Sequence, residues 1–266
     1  MTSLKKYLVL LQLSWQNQFV YRTSLFMWRL RQFLSSIMSL TIWTVLFASQ
    51  TNIFNYDQQQ MISYVFLISF LQSVVLTTAL NGLANDIYSG RISTLLIKPM
   101  NIFAYLAAQD AADKLKNVFF VIFEVLLLAW IFKPVITLPS PTMLFFFLLS
   151  VMLGVVLYFL IIMLFGTIGF WSPETWGPRF LFFMVLEFAA GKLFPLDILP
   201  RAIQNILYLT PFPYFSYAQT QIFLEKYSTA QAINTLGVIS FWVVFLGIGL
   251  NFIWRKGIKN YSAAGI

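Results

Sequence analysis

The sequence predicts an all-α integral membrane protein that crosses the bilayer six times, and three observations lead there. Only 10% of the 266 residues are charged, whereas 59% are hydrophobic. A soluble domain carries about 25% charged residues, so this chain cannot cover a water-facing surface. Several uncharged runs are long enough to cross roughly 30 Å of hydrocarbon as helices, which takes about 20 residues each. No segments of about 10 residues alternate in polarity, as the strands of a membrane β-barrel would.

Composition also narrows the chemistry. The chain has no cysteine and no histidine, which removes disulfides, thiolate metal sites, cysteine nucleophiles and the commonest proton shuttle. Nine carboxylates remain, most of them near predicted membrane ends, and this argues against an enzyme. The formal net charge is +8, but the basic residues are spread over membrane-flanking loops. Without a clustered basic face, nucleic-acid binding is not expected.

The first element is an amphipathic stretch over residues 1–22. In "SLKKYLVLLQLSWQNQFV", Leu4, Leu8, Leu11, Trp15 and Phe19 recur at roughly helical spacing, while Lys5, Gln12 and Gln16 fall largely on another face. Leu10 and Leu13 blur the division. The pattern fits a helix lying in the membrane interface with its lysines toward headgroups; a frayed extension of the first span is the other reading. The polar residues among the first twenty argue against a cleavable signal peptide.

A membrane domain follows at 23–255, with spans expected at about 25–49, 60–84, 116–136, 142–170, 178–196 and 232–254. Arg22, Arg29 and Arg31 open the first, Asp57 sits in the loop before the second, and the fourth is charge-free and rich in phenylalanine. Lysine and arginine set the orientation. Placing the N-terminus inside leaves only Lys133, Lys192, Arg201 and Lys226 outside, among seventeen basic residues. That bias predicts both termini, including the 256–266 tail, on the cytoplasmic side.

Between the second and third spans lies "NDIYSGRISTLLIKPMNIFAY", within a cytoplasmic excursion expected over 85–115. Gly90 breaks a helix at low steric cost, and Pro99 drives Lys98 out of helical conformation. Between them "RISTLLIK" has room for about two turns, with Ile92, Leu95 and Leu96 sharing an apolar face. Such a helix fits another protein's groove; a re-entry loop whose leucines touch lipid is the other reading. Between the fifth and sixth spans, at 192–230, Pro195, Pro200, Pro211 and Pro213 cut the chain into short helices. Lined by Leu199, Ile203, Ile206, Leu207 and Phe212, these pieces enter the outer leaflet only if protein buries their broken backbone.

These two segments resemble ABC-2 type transporter permeases. The first matches their cytoplasmic loop in Asp86, Gly90, Leu95, Leu96 and Pro99, with Lys98 before the proline. Aspartate stands at 86 where the family more often has glutamate. The second is similar to the family's extracellular connector in Gly191, Phe194, Pro195, Leu196, Leu199, Pro200, Thr210, Pro211 and Tyr214. The resemblance also takes in the amphipathic start and the six spans. It implies a permease whose coupling segment, Asp86, Gly90, Arg91, Leu95, Leu96, Lys98 and Pro99, docks a separate cytoplasmic ATPase subunit carrying ATP and magnesium. It further implies short re-entrant helices in the connector, a second permease chain, identical or related, and outward movement of drugs, peptides, lipids or glycans. This chain has no G-x-x-x-x-G-K-[ST] motif to cradle phosphates.

Two acids fall inside predicted spans, Glu124 and Glu187. A charge at mid-membrane costs about 2.5–3.5 kcal/mol on insertion scales, so such residues face protein or a water-filled cavity. They are candidates for a translocation path, or equally carboxyls that hold helices together, with Lys192 an imperfect partner for Glu187. A stand-alone proton- or ion-coupled transporter using both acids is the alternative to the permease, and a membrane-embedded transferase the weakest reading. Gly166, Gly169, Gly247 and Gly249 are expected to allow ordinary close packing. Phe145–Phe147 are expected to face lipid, and Trp171, Trp176 and Trp254 to anchor at the interfaces.

Overall fold

The computed structural model describes residues 3–20, 22–54, 56–134, 138–259 and 261. The remainder of the 256–266 tail and the Leu4 side chain lie outside the described residues. Helix α1 (Ser3–Gln18) ends in a turn at Phe19–Val20, so it is a separate helix rather than an extension of the next. Its inward stripe is Leu11, Ser14, Trp15 and Gln18, with Leu8 and Leu13 turned outward. It packs along α6 (Ile102–Phe132) at one end of the molecule, the near end.

Helix α2 (Arg22–Phe47) runs to the far end. There a two-residue hairpin, β1 (Asn52–Ile53) and β2 (Tyr56–Asp57), replaces the expected plain loop. Asp57 then caps α3 (Gln58–Val74) through a capping box: its Oδ1 accepts from Gln60 N at 2.8 Å, and Gln60 Oε1 accepts from Asp57 N at 3.3 Å. Two donors of the first turn are thereby satisfied.

Helix α3 has 17 residues, about 26 Å at 1.5 Å per residue, and is buried along nearly its whole length. Among the described residues, four helical segments are long and apolar enough to cross a bilayer: α2, α6, α11 (Thr229–Lys259) and α7 (Pro141–Thr167) with the 3-10 turn Ile168–Phe170 that ends it. The expected second and fifth spans are shorter helices, α3 and α8 (Trp176–Ala189). The apolar run of the second continues past Val74, but its backbone leaves the α-helix at Val75–Ala79. It resumes as a 3-10 turn at Leu80–Gly82 and α4 (Leu83–Tyr88).

The stretch expected as a cytoplasmic excursion over 85–115 contains the start of a long helix. Asn101 caps α6 by accepting from Phe103 N at 2.9 Å and Ala104 N at 3.2 Å, so residues 102–115 belong to the long helix. Lys114 is accordingly no loop residue: it is buried inside the bundle.

The connector after α8 turns back on Gly191, whose φ of +76° suits glycine. A Cβ there would meet the Tyr64 hydroxyl at 2.7 Å. Pro195, Pro200 and Pro211 each stand at the N-cap of a short helix: the 3-10 turn Leu196–Ile198, α9 (Arg201–Tyr208) and the 3-10 turn Phe212–Phe215. All seven residues of α10 (Tyr217–Phe223) are buried. Its Gln219, with the Tyr214 carbonyl, reaches Gly154 halfway along α7, so the connector folds deep into the bundle.

Packing corrects three expectations. Phe145 is exposed, but Phe147 is buried with its ring 5.0 Å from that of Phe223, because successive helix residues lie 100° apart. Trp171 and Trp176 are exposed, whereas Trp254 is buried between Phe103 and Phe170. Gly166 and Gly169 meet α4 closely; Gly247 and Gly249 have open space around them.

Candidate functional site

The near-end segment is a clasp of two short helices. Helix α4 stops because Gly90 takes φ +79°, and Ile92 N donates back to the Asp86 carbonyl at 3.0 Å. Arg91 Nη2 lies 2.6 Å from Asp86 Oδ1 across this turn. That pair is exposed and contributes at most about 1 kcal/mol, so burial of Ile87 and Ile92 does more to hold the shape. The expected two-turn helix is one turn, α5 (Ser93–Leu96).

Ile92 is buried and Leu95 packs on the core, while Leu96 and Ile97 are 38% and 84% exposed. Leu95 and Leu96 therefore do not share a face; adjacent residues on one turn diverge by about 100°. Lys98 and Pro99 follow in a bend, with Lys98 Nζ 6.0 Å from the centre of the Tyr105 ring. Asp86, Arg91 and Leu95 also line a cavity of about 380 Å³ shared with Ser14 and Gln18 of α1.

Beneath the clasp, α4 rests on the end of α7. A Cβ on Gly169 would lie 2.1 Å from the Ala84 carbonyl oxygen, and one on Gly166 would overlap the Leu83 side chain. Gly257 of α11 is likewise pressed against Phe170. Small residues here let α4 meet the end of α7 at backbone distance and let α11 close on the Phe170 ring.

A polar stripe runs up the buried face of α6: Asp110, Asp113, Lys114, Asn117 and Glu124. The Lys114 ammonium lies 3.7 Å from Asp110 Oδ2 and donates to the carbonyls of Thr77 at 2.8 Å and Val75 at 3.1 Å. Glu124 is buried beside α2 and α3. Arg29 Nη1 approaches its Oε2 at 3.9 Å, and the Ser36 hydroxyl sits 3.5 Å from its Oε1 and 3.1 Å from the Ser69 hydroxyl. Arg29 also donates to Asn117 Oδ1. Asn117 Nδ2 donates to Asp113 Oδ2 at 2.8 Å, and Lys116 Nζ reaches Asp113 Oδ1 at 2.5 Å and Gln18 Oε1 at 3.0 Å.

A cavity of about 780 Å³ opens beside this network, walled by parts of α1, α2, α3, α6 and α8. Glu187 lies on its wall, ion-paired with Lys192; Glu124 lies behind Arg29 and does not line it. The two acids proposed from sequence are thus both paired and are not brought together. Sequence reasoning missed Arg29, Asp113, Asn117 and Gln72. The recurrence of polar residues at three- and four-residue steps along 110–124 was the available signal.

Residues 33–265 match a family model described as ABC-2 family transporter protein. A search of curated proteins finds none that matches. The match begins within α2 and takes in the near-end clasp, the polar stripe of α6 and the connector. Together with four apolar helices of membrane-crossing length, it makes this a multi-pass membrane protein. The chain belongs to the ABC-2 family of transporter proteins, and is a permease of an ABC transporter.

Proposed function

We propose that this permease is half of the membrane pathway of an ATP-driven exporter in the cell membrane. A separate cytoplasmic ATPase subunit, with its ATP and magnesium, drives it by docking on the near-end clasp. The observation that carries this reading is the division of the clasp. Ile92 and Leu95 tie it to the core, and Leu96 and Ile97 stand free at its tip. An apolar tip on a segment anchored from behind suits a partner's groove. Asp86, Gly90, Arg91, Lys98 and Pro99 shape it.

In this reading α3 with the 75–82 turn, and α8 with the connector behind it, complete six spans. The near end, with both termini, faces the cytoplasm, and the connector helices behind Pro195, Pro200 and Pro211 are re-entrant from the outer side. A second permease chain, identical or related, completes the path, and the cargo is amphipathic. The pairing of Glu124 with Arg29 and of Glu187 with Lys192 weighs against a stand-alone ion-coupled transporter.

The test is purification of the tagged chain from its native membrane, with identification of co-purifying proteins and an ATP hydrolysis assay. An ATPase is expected with the wild-type chain and lost from the Leu96→Asp,Ile97→Asp variant, which elutes normally because both residues are exposed. A wild-type chain that purifies without any ATPase overturns the proposal.

A further inference from the structure

We infer that the larger cavity holds the head of an anionic amphiphile, seated by Arg31 and Gln72. Calling that occupant cargo rests on the permease reading; the binding site itself does not. Four cations line the cavity, Arg29, Arg31, Lys116 and Lys192, against two carboxylates, Asp113 and Glu187. Both carboxylates are engaged: Asp113 by Lys116 and Asn117, Glu187 by Lys192. Arg29 is held by Asn117 and by Glu124 behind the wall.

That leaves Arg31. Among the described residues no carboxylate lies within ion-pair distance of it, and its guanidinium sits 4.3 Å from the centre of the Trp28 ring. A guanidinium stacked on an indole keeps its planar fork of donors, which matches carboxylate and phosphate oxygens. The second observation is independent. Gln72 is 9% exposed, its Oε1 accepts from Gln32 at 3.2 Å, and its Nε2 has no partner among the described residues. A buried donor left unpaired is an unfavourable arrangement that an acceptor-bearing ligand relieves.

Gln72 lines this cavity and also a smaller neighbour of about 230 Å³, so the residue stands between the two, with its unpaired amide buried just behind the wall. The remaining wall decides between a solute and an amphiphile. Leu25, Trp28, Leu76, Phe183 and Met184 give it an apolar side. Trp28 and Met184 are half exposed, so this apolar side reaches the surface of the bundle. Arg31 lies nine residues after Arg22, about 14 Å along α2. A volume of about 780 Å³ falls within the roughly 300–1,000 Å³ of ligand sites. An acceptor-rich head between Arg31 and Gln72, with its chain along Trp28 and Phe183, satisfies the free cation and the free amide together.

The experiment is native mass spectrometry of the delipidated full chain with equimolar dioleoyl phosphatidylglycerol and dioleoyl phosphatidylcholine. Wild-type protein is expected to retain phosphatidylglycerol in preference. Arg31→Gln and Gln72→Leu are each expected to weaken that retention by about tenfold, the scale of one charge-assisted hydrogen bond, without changing phosphatidylcholine. Arg31→Lys, which keeps the charge, restores most of it. Equal retention of the two lipids by wild type, or an unchanged preference in Arg31→Gln, overturns the inference. Displacement of the lipid by millimolar inorganic phosphate overturns its amphiphile part, because a soluble anion then suffices; no displacement upholds it. Co-purifying ATPase is scored on the same preparations. A wild-type chain that prefers phosphatidylglycerol but carries no ATPase overturns the proposed ATP-driven exporter and leaves the site standing.

Discussion

Lys114 sits where a hydropathy reading puts the end of a loop, yet its ammonium is inside the bundle and the residue is 8% exposed. The reason lies forty residues earlier. Helix α3 ends at Val74 in an apolar setting, and the last carbonyls of a helix have no intrahelical partner. Lys114 donates to the carbonyls that follow this break, and a cation at a helix C-terminus also meets the negative end of the helix dipole. Asp110, one turn away, balances the charge. Lys114→Met keeps the bulk and removes the donor, leaving a carboxylate and two or three carbonyls buried without a partner. It should destabilise the chain by about 3–5 kcal/mol, read as a lower thermal midpoint of the detergent-purified protein. Adding Asp110→Asn should recover part of the loss, because the stranded charge is then gone. An unchanged midpoint in Lys114→Met would mean that water, not the lysine, satisfies the α3 terminus.

Among elements, the joint between α4 and the end of α7 lies directly beneath the clasp, where the proposed drive from a docked ATPase would pass. The Gly169 Cα faces backbone, with the Ala84 carbonyl where a Cβ would go, so no side-chain rotation relieves an added methyl. Gly169→Val should therefore push α4 off α7. Transport and ATP-stimulated turnover should fall at least tenfold, a barrier change of about 1.4 kcal/mol, while the ATPase still co-purifies through Leu96 and Ile97. Gly177→Ala is the control, since nothing lies within 4 Å of that position. Normal transport by Gly169→Val would remove the joint from the drive path. How far such elements were legible depends on the range of the signal. Gly90, Pro195, Pro200 and Pro211 act on their own backbone, so local reading found the breaks they cause. The one-turn length of α5 and the packing of Leu95 on the core were not legible, because both follow from what α4 rests on. Glu124 stood out as an intramembrane acid, but its partner Arg29 is 95 positions away and on another helix. The partners of Lys114 were hidden for the same reason, since the carbonyls it meets lie in the break after α3.

At the scale of the bundle, the described residues form two apolar clusters, one around α7 and α11 and one around α2, α3 and the connector. A polar clasp closes the second at the far end. The Tyr56 hydroxyl donates to Asp197 Oδ2 at 3.0 Å and accepts from Gln221 Nε2 at 2.9 Å, with Lys226 over the Tyr56 ring. Asp197 also faces Gln204, which donates to its carbonyl at 3.2 Å, and Asp57 acts on Lys226. Burial raises the Asp197 carboxyl above its ordinary 3.8, opposed by the Tyr56 bond and the Lys226 charge. Nearby, Glu225 accepts from the Ser140 backbone N–H at 2.6 Å, and that bond lowers it below its ordinary 4.5. The signs are opposite. A raised acid binds more protons folded than unfolded, so its contribution is complete below 3.8 and fades as pH rises through the folded value. A lowered acid contributes above 4.5 and loses that contribution as pH falls through its folded value. Thermal midpoints measured from pH 3 to 8 should therefore flatten on the rising-pH side in Asp197→Asn and on the acid side in Glu225→Gln. Half-buried Lys226 is lowered by desolvation, so it adds stability as pH climbs toward its ordinary 10.5 and does not obscure the acid windows. A wild-type profile already flat above pH 4, or one unchanged by Asp197→Asn, would show that the carboxylate is solvated and that apolar packing alone closes the far end.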